Sequence, residues 1–101
     1  MKKHLIAFAA LAVATGAALA QANDTIAKVK ASGTITMGVR DSSGALSFTL
    51  GDGKYAGFHY DLCQRIIANV EKAAGKKLEV KYLPVTSQNR IPLVQNGTVD
   101  I

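Results

Sequence analysis

Residues 78–100 read LEVKYLPVTSQNRIPLVQNGTVD, and the order of elements in this stretch decides the fold. Leu78-Glu79-Val80-Lys81-Tyr82-Leu83 alternates, the period of a strand with one exposed face, which suits the edge of a sheet. Pro84-Val85-Thr86 ends it. A helix follows with Asn89 as its cap, because that start puts Pro92 in the first turn, where a missing N–H costs little. Gly97 ends this helix, and Thr98-Val99-Asp100-Ile101 opens a second β-like run.

Upstream lies the strongest helical signal. Counted at about 100° per residue from Phe58, the residues Leu62, Ala73, Ile66, His59, Val70, Cys63, Ala74 and Ile67 share one arc. Asp61, Gln64, Arg65, Glu71 and Lys72 fall outside it. Gly75 is a natural stop, with Lys72, Lys76 and Lys77 complementing the negative helix end. Before this helix, Leu46–Leu50 and Lys54–Phe58 flank Gly51-Asp52-Gly53, a hairpin in which glycine supplies positive φ. Thr34–Val39 is β-rich and ends at Arg40-Asp41, after which Ser42-Ser43-Gly44 breaks the run. Asp24 to Lys30 forms a short helix closed by Ser32-Gly33. The order β, hairpin, α, β, α, β predicts an α/β layer with a largely parallel sheet.

The first twenty residues read as an export leader. Met1-Lys2-Lys3-His4 is a basic start, Leu5 to Ala14 an apolar run, and Ala18-Leu19-Ala20 a small-x-small cleavage site. Thr15-Gly16 interrupts the run after about ten residues, too few for a membrane span. Domain boundaries follow: a cleaved signal peptide over 1–20 and a working part over 21–101, beginning at Gln21 or, with the alternative cut, at Asn23. Lysines rather than paired arginines favour the general secretory route. The single cysteine, Cys63, lies far from the cleavage site, so it offers no lipid anchor and no internal disulfide. A soluble protein of the bacterial periplasm fits best. The whole chain carries +5, of which Lys2 and Lys3 supply two, leaving a mildly basic remainder suited to small anions and too diffuse to argue for nucleic acid. The remaining eighty or so residues sit near the lower limit for a self-sufficient core and stop inside a β-like run. They read as the amino-terminal piece of something longer.

Ligands of open α/β sheets collect at the carboxyl ends of strands and at the helix starts that follow. Arg40 sits at the first strand's end and Arg90 at the first position of the second helix, just after Ser87. A guanidinium can hold a carboxylate through two hydrogen bonds, the helix start adds unpaired N–H groups, and Ser87 adds a hydroxyl. Taken alone, an exposed arginine is more commonly a solvated side chain. The other candidates are weaker. Gly51, Gly53 and Gly57 miss the dinucleotide spacing. His59 and Cys63, one helical turn apart, fall inside the apolar arc and read as packed core residues, not metal ligands. Ser42 and Ser43 have no neighbouring base, so no catalysis is expected. Asp61 is explained by dipole complementarity.

Three segments carry a family resemblance: Ile35 through Ser43, Gly57-Phe58-His59-Tyr60-Asp61-Leu62-Cys63, and Pro84-Val85-Thr86-Ser87-Gln88-Asn89-Arg90-Ile91-Pro92-Leu93 with Gln95 through Asp100. Together they resemble the periplasmic substrate-binding proteins of polar amino-acid ABC transporters, within solute-binding protein family 3, and among them the glutamate/aspartate-binding group. The Gly-Phe-x-x-Asp-Leu segment is shared widely, whereas Thr-Ser-Gln-Asn-Arg-Ile-Pro preceded by Arg-Asp-Ser-Ser is far more specific.

The resemblance implies a periplasmic-binding-protein-like clamshell of type II, with only the first part of lobe 1 present in 21–101. It implies capture of L-glutamate or L-aspartate, delivery to a membrane permease and its ATPase, a monomer, and no cofactor. By position, Arg40, Ser87 and Arg90 match the residues that hold the ligand carboxylates. The acid that would meet the ligand ammonium falls beyond Ile101. Ala45-Leu46-Ser47-Phe48 departs from the Pro-Phe that many relatives carry, which weakens an aromatic stacking argument. Two other readings share the fold: a dehydratase or lytic enzyme, which needs a positioned acid or base, and a receptor ectodomain.

Overall fold

The computed structural model describes residues 24–101, so the leader expected over 1–20 lies outside the described residues. Helix α1 (Thr25–Ser32) starts where the Asp24 carboxylate accepts the Ala27 N–H at 2.8 Å, and closes on left-handed Gly33. It runs two residues past the expected Lys30, because Gly33 supplies the terminating geometry.

The sheet is organised around β1 (Thr34–Val39). On one side it pairs in parallel with β4 (Glu79–Pro84), Thr34 opposite Glu79 and Val39 opposite Pro84. On the other side, the Gly38 N–H donates to the Ile101 carbonyl at 2.8 Å, and the N–H groups of Asp100 and Ile101 donate to Thr36 O at 2.9 and 3.3 Å. The final stretch therefore runs alongside β1 and bonds to it at Thr36 and Gly38, but the strand expected over Thr98–Ile101 does not form among the described residues, where this sheet consists of β1 and β4. One crossover leads to one side of β1 and the next leads to the other, so a topological switch lies at its carboxyl end.

Ile35, Met37 and Val39 are buried on one face of β1, against Val29 of α1, Ile67 and Leu78. On the other face Gly38 leaves room for neighbours: a Cβ there would stand 3.2 Å from Val99 and 3.4 Å from Val85. The Asp100 carboxylate binds the final stretch more tightly, accepting the Thr36 N–H at 2.9 Å and the Lys28 ammonium at 2.8 Å. It joins α1, β1 and the last residues at one point.

Between β1 and the long helix, a single 3-10 turn (Gly44–Leu46) precedes an antiparallel hairpin of β2 (Phe48–Gly51) and β3 (Lys54–Ala56). The hairpin is shorter than expected at both ends. Leu46 belongs to the 3-10 turn, and Gly57, at φ 126°, turns the chain into the helix so that Phe58 opens it. Asp52 and Gly53 form the turn with φ of 54° and 72°, the pairing that a twisted hairpin favours.

Helix α2 (Phe58–Ala74) ends at left-handed Gly75, as predicted. Its apolar arc, however, divides. Ile67 and Ala74 are buried and Cys63 and Val70 half-buried, whereas Leu62, Ile66 and Ala73 are exposed. His59 is also exposed, with its ring 5.9 Å from that of Phe58, so its assignment to the core is corrected. The described residues cover α2 on the sheet side only, and His59 points off that side. Cys63 does pack against the core, and burial pushes its thiol pKa up.

The helix is tied to the sheet by a polar cluster within the apolar layer. The Tyr82 hydroxyl lies 3.2 Å from that of Tyr60 and accepts from Gln64 Nε2 at 3.2 Å. Both Tyr55 and Tyr60 set their rings against Tyr82, at centroid distances of 5.9 and 5.8 Å. The hydrogen bond to Tyr82, followed by burial, pushes the Tyr60 pKa up to about 12. A raised pKa means that the folded state holds its proton longer. This contribution is complete below the ordinary tyrosine value of about 10 and is lost as pH rises from there to about 12. Stability of the full-length protein, measured by denaturant unfolding, is expected to fall across that window, and less steeply in Tyr60→Phe.

Candidate functional site

At the carboxyl end of β1 the chain leaves the sheet. Val39 still accepts the Val85 N–H at 2.8 Å, and Arg40 is the first residue past the strand. Its Nη1 donates to the Ser87 hydroxyl at 2.9 Å, which joins the β1 end to the loop after β4. Two of the three residues predicted for the site are thus brought into contact across 47 residues of chain.

The loop that carries Ser87 is held by a reciprocal pair. The Thr86 hydroxyl accepts the Asn89 N–H at 3.1 Å, while the Asn89 side-chain carbonyl accepts the Thr86 N–H at 2.8 Å. This is a capping box with Thr86 in the cap position and Asn89 as its partner three residues on. Helix α3 (Arg90–Gln95) begins where predicted, but Asn89 itself makes no side-chain cap to the turn that follows. The Thr-x-x-Asn spacing is the sequence signal for this arrangement, and it puts the capping side chain at Thr86 instead of the expected Asn89.

Arg90 donates its N–H to the Thr86 carbonyl at 3.2 Å, which closes the first turn. Ser87 and Arg90 are three residues apart on this turn, so they stand on one face of it. The described residues place Arg40 in bonding contact with Ser87 and Arg90 beside Ser87 on the turn. No carboxylate among them lies within ion-pair distance of either arginine, since the ion pairs formed are Lys28–Asp100 and Lys77–Glu71. The Arg40 guanidinium and the Ser87 hydroxyl together are chemically suited to an anionic oxygen; Arg90 is exposed, and its side chain makes no hydrogen bond to either among the described residues.

Comparison with known proteins identifies the family. The signature of the bacterial extracellular solute-binding proteins, family 3, matches residues 35–101, and the chain belongs to that family. The chain is 43% identical over 102 residues to the glutamate/aspartate import solute-binding protein of Escherichia coli, covering 93% of this chain and 34% of that protein. It is 50% identical over 80 residues to the L-glutamate/L-aspartate-binding protein of Pseudomonas aeruginosa, covering 76% of this chain and 26% of that protein. Among solved structures it is similar to an ancestral amino acid-binding protein described as a precursor of cyclohexadienyl dehydratase, at TM-score 0.62 and 25% identity, over 74% of this chain and 31% of the other. The chain spans about a third of the length of the curated relatives it matches. The α/β fold is that of one part of the clamshell these proteins share.

Removal of the capping hydroxyl tests how the loop is held. Thr86→Ala in the full-length protein is expected to cost about 1 kcal/mol, read as a shift in the denaturation midpoint.

Proposed function

We propose that the protein captures an acidic amino acid, L-glutamate or L-aspartate, in the periplasm and delivers it to the permease and ATPase of an ABC transporter. The observation that carries this reading is the Arg40–Ser87 hydrogen bond of 2.9 Å, which unites two chain segments at the switch point, with Arg90 on the same turn as Ser87. A ligand with two carboxylates answers two guanidinium groups, here on a half-buried Arg40 and an exposed Arg90. The names of the relatives point the same way, since those of Escherichia coli and Pseudomonas aeruginosa are both named for glutamate and aspartate.

Residues 21–101 supply the first part of one lobe in this reading, with 1–20 removed on export. Ligand shifts an open–closed equilibrium because only the closed state lets it touch both lobes. An enzymatic reading would need a proton carrier among the site residues. A guanidinium is not deprotonated in proteins, and the Ser87 hydroxyl has a guanidinium beside it instead of a base, so these residues support a binding role.

Calorimetric titration of the full-length protein tests the charge argument. L-Glutamate and L-aspartate are expected to bind, and L-glutamine to bind at least about tenfold more weakly, about 1.4 kcal/mol. Equal affinity for glutamine would contradict the reading. Arg90→Ala is expected to weaken binding of the acidic ligands at least about 30-fold, as truncating one member of a buried charge pair does. Unchanged affinity would remove Arg90 from the site.

A further inference from the structure

We propose that Ser47 is a positioning residue of the anion site, fixing the backbone of Arg40 so that its guanidinium is presented at Ser87; this rests on the binding role proposed above. Arg40 stands one residue past β1. The Ser47 hydroxyl serves both the N–H and the C=O of this residue. It accepts the Arg40 N–H at 3.1 Å and donates to the Arg40 carbonyl at 2.9 Å. Ser47 is only 5% exposed and is the buried polar residue of the described chain, so water does not substitute for it freely.

Ser47 is itself held from two directions. Its carbonyl accepts the Ser43 N–H at 2.8 Å, and the Asp41 carbonyl accepts the Thr49 N–H at 3.2 Å, which closes the loop around Arg40. From the other side, the start of α2 presses on the Leu46–Ser47 peptide. A Cβ on Gly57 would stand 2.4 Å from the Leu46 carbonyl oxygen and 2.8 Å from the Ser47 nitrogen, so only glycine permits the approach. The helix start therefore sets Ser47, Ser47 sets the Arg40 backbone, and that backbone aims the side chain. Sites of this kind depend on such support, because a loosely held guanidinium loses its geometry at the end of a long side chain. Nothing in the local sequence marks Ser47. It lies seven residues from Arg40 through an irregular loop.

Ser47→Ala, Ser47→Thr and Ser47→Cys in the full-length protein test the proposal by titration with L-glutamate and by amide hydrogen exchange. Ser47→Ala is expected to weaken binding about tenfold, as leaving two buried backbone groups unpaired implies. Threonine, which keeps the hydroxyl, is expected to restore binding to within about threefold of wild type. In an Arg40→Lys background the same alanine change should add less than about threefold, because its effect passes through Arg40. The Arg40 amide should exchange faster in Ser47→Ala while the amides of β4 keep their protection. If the alanine variant fails to unfold cooperatively, Ser47→Cys carries the same comparison with a weaker donor. Unchanged affinity in Ser47→Ala, or an undiminished loss in the Arg40→Lys background, would overturn the proposal. An Arg40 amide that stays protected would overturn it whether or not ligand binds. Faster exchange in a protein whose wild type takes up no L-glutamate would instead overturn the binding role, with the hold on Arg40 established.

Discussion

Hydrogen bonding on both sides of β1 is the constraint from which the rest of this structure follows. A strand with β4 on one edge and the final stretch on the other cannot tilt or slip without breaking a parallel ladder and the hydrogen bonds of Thr36 and Gly38 to Asp100 and Ile101. Its side chains are equally committed. Ile35, Met37 and Val39 are each buried, and each such burial contributes about 1.5–3 kcal/mol. The place where β1 ends is therefore fixed more firmly than any loop could fix it. Arg40 stands at that place, and the charge of the site inherits the rigidity of the sheet.

Polar groups inside the layers help to set the geometry. Asp100 is the clearest case, because its side chain is only 5% exposed and yet takes a hydrogen bond from β1 and an ion pair from α1. The half-exposed Lys28 adds little through charge alone, so the greater effect is the satisfied Thr36 N–H, which would otherwise lack a partner. Tyr82 does the same for the opposite edge, joining α2 and the hairpin to β4 through its hydroxyl and its ring. These contacts orient the elements that the apolar core brings together.

Local patterns in the sequence were readable where local physics decides. Gly33 and Gly75 both end helices in the left-handed conformation, and the alternation of Glu79–Leu83 is a strand, whereas Asp24, read as part of α1, is its cap. Arg40 and Ser87 stand out in the sequence as candidates, and the structure joins them. What escaped the sequence depended on distant partners. Periodicity placed His59 in the apolar arc without showing which part of that arc the sheet would cover. The hairpin ends moved because Gly57 had to approach the Leu46 carbonyl, a contact between residues eleven positions apart. Asp100 looked like part of a β-like run, and only the folded chain shows its carboxylate reaching Thr36 and Lys28. Ser47 was hidden for the same reason.

The central proposal is that folding brings two guanidinium groups and one hydroxyl to the end of β1 to receive a doubly acidic metabolite. A crystal structure of the full-length protein grown with L-glutamate tests it most directly. The account predicts ligand carboxylate oxygens within hydrogen-bond distance of the Arg40 and Arg90 guanidinium groups and of the Ser87 hydroxyl. Glutamate bound elsewhere, with both arginine side chains directed into solvent on separate surfaces, would contradict it.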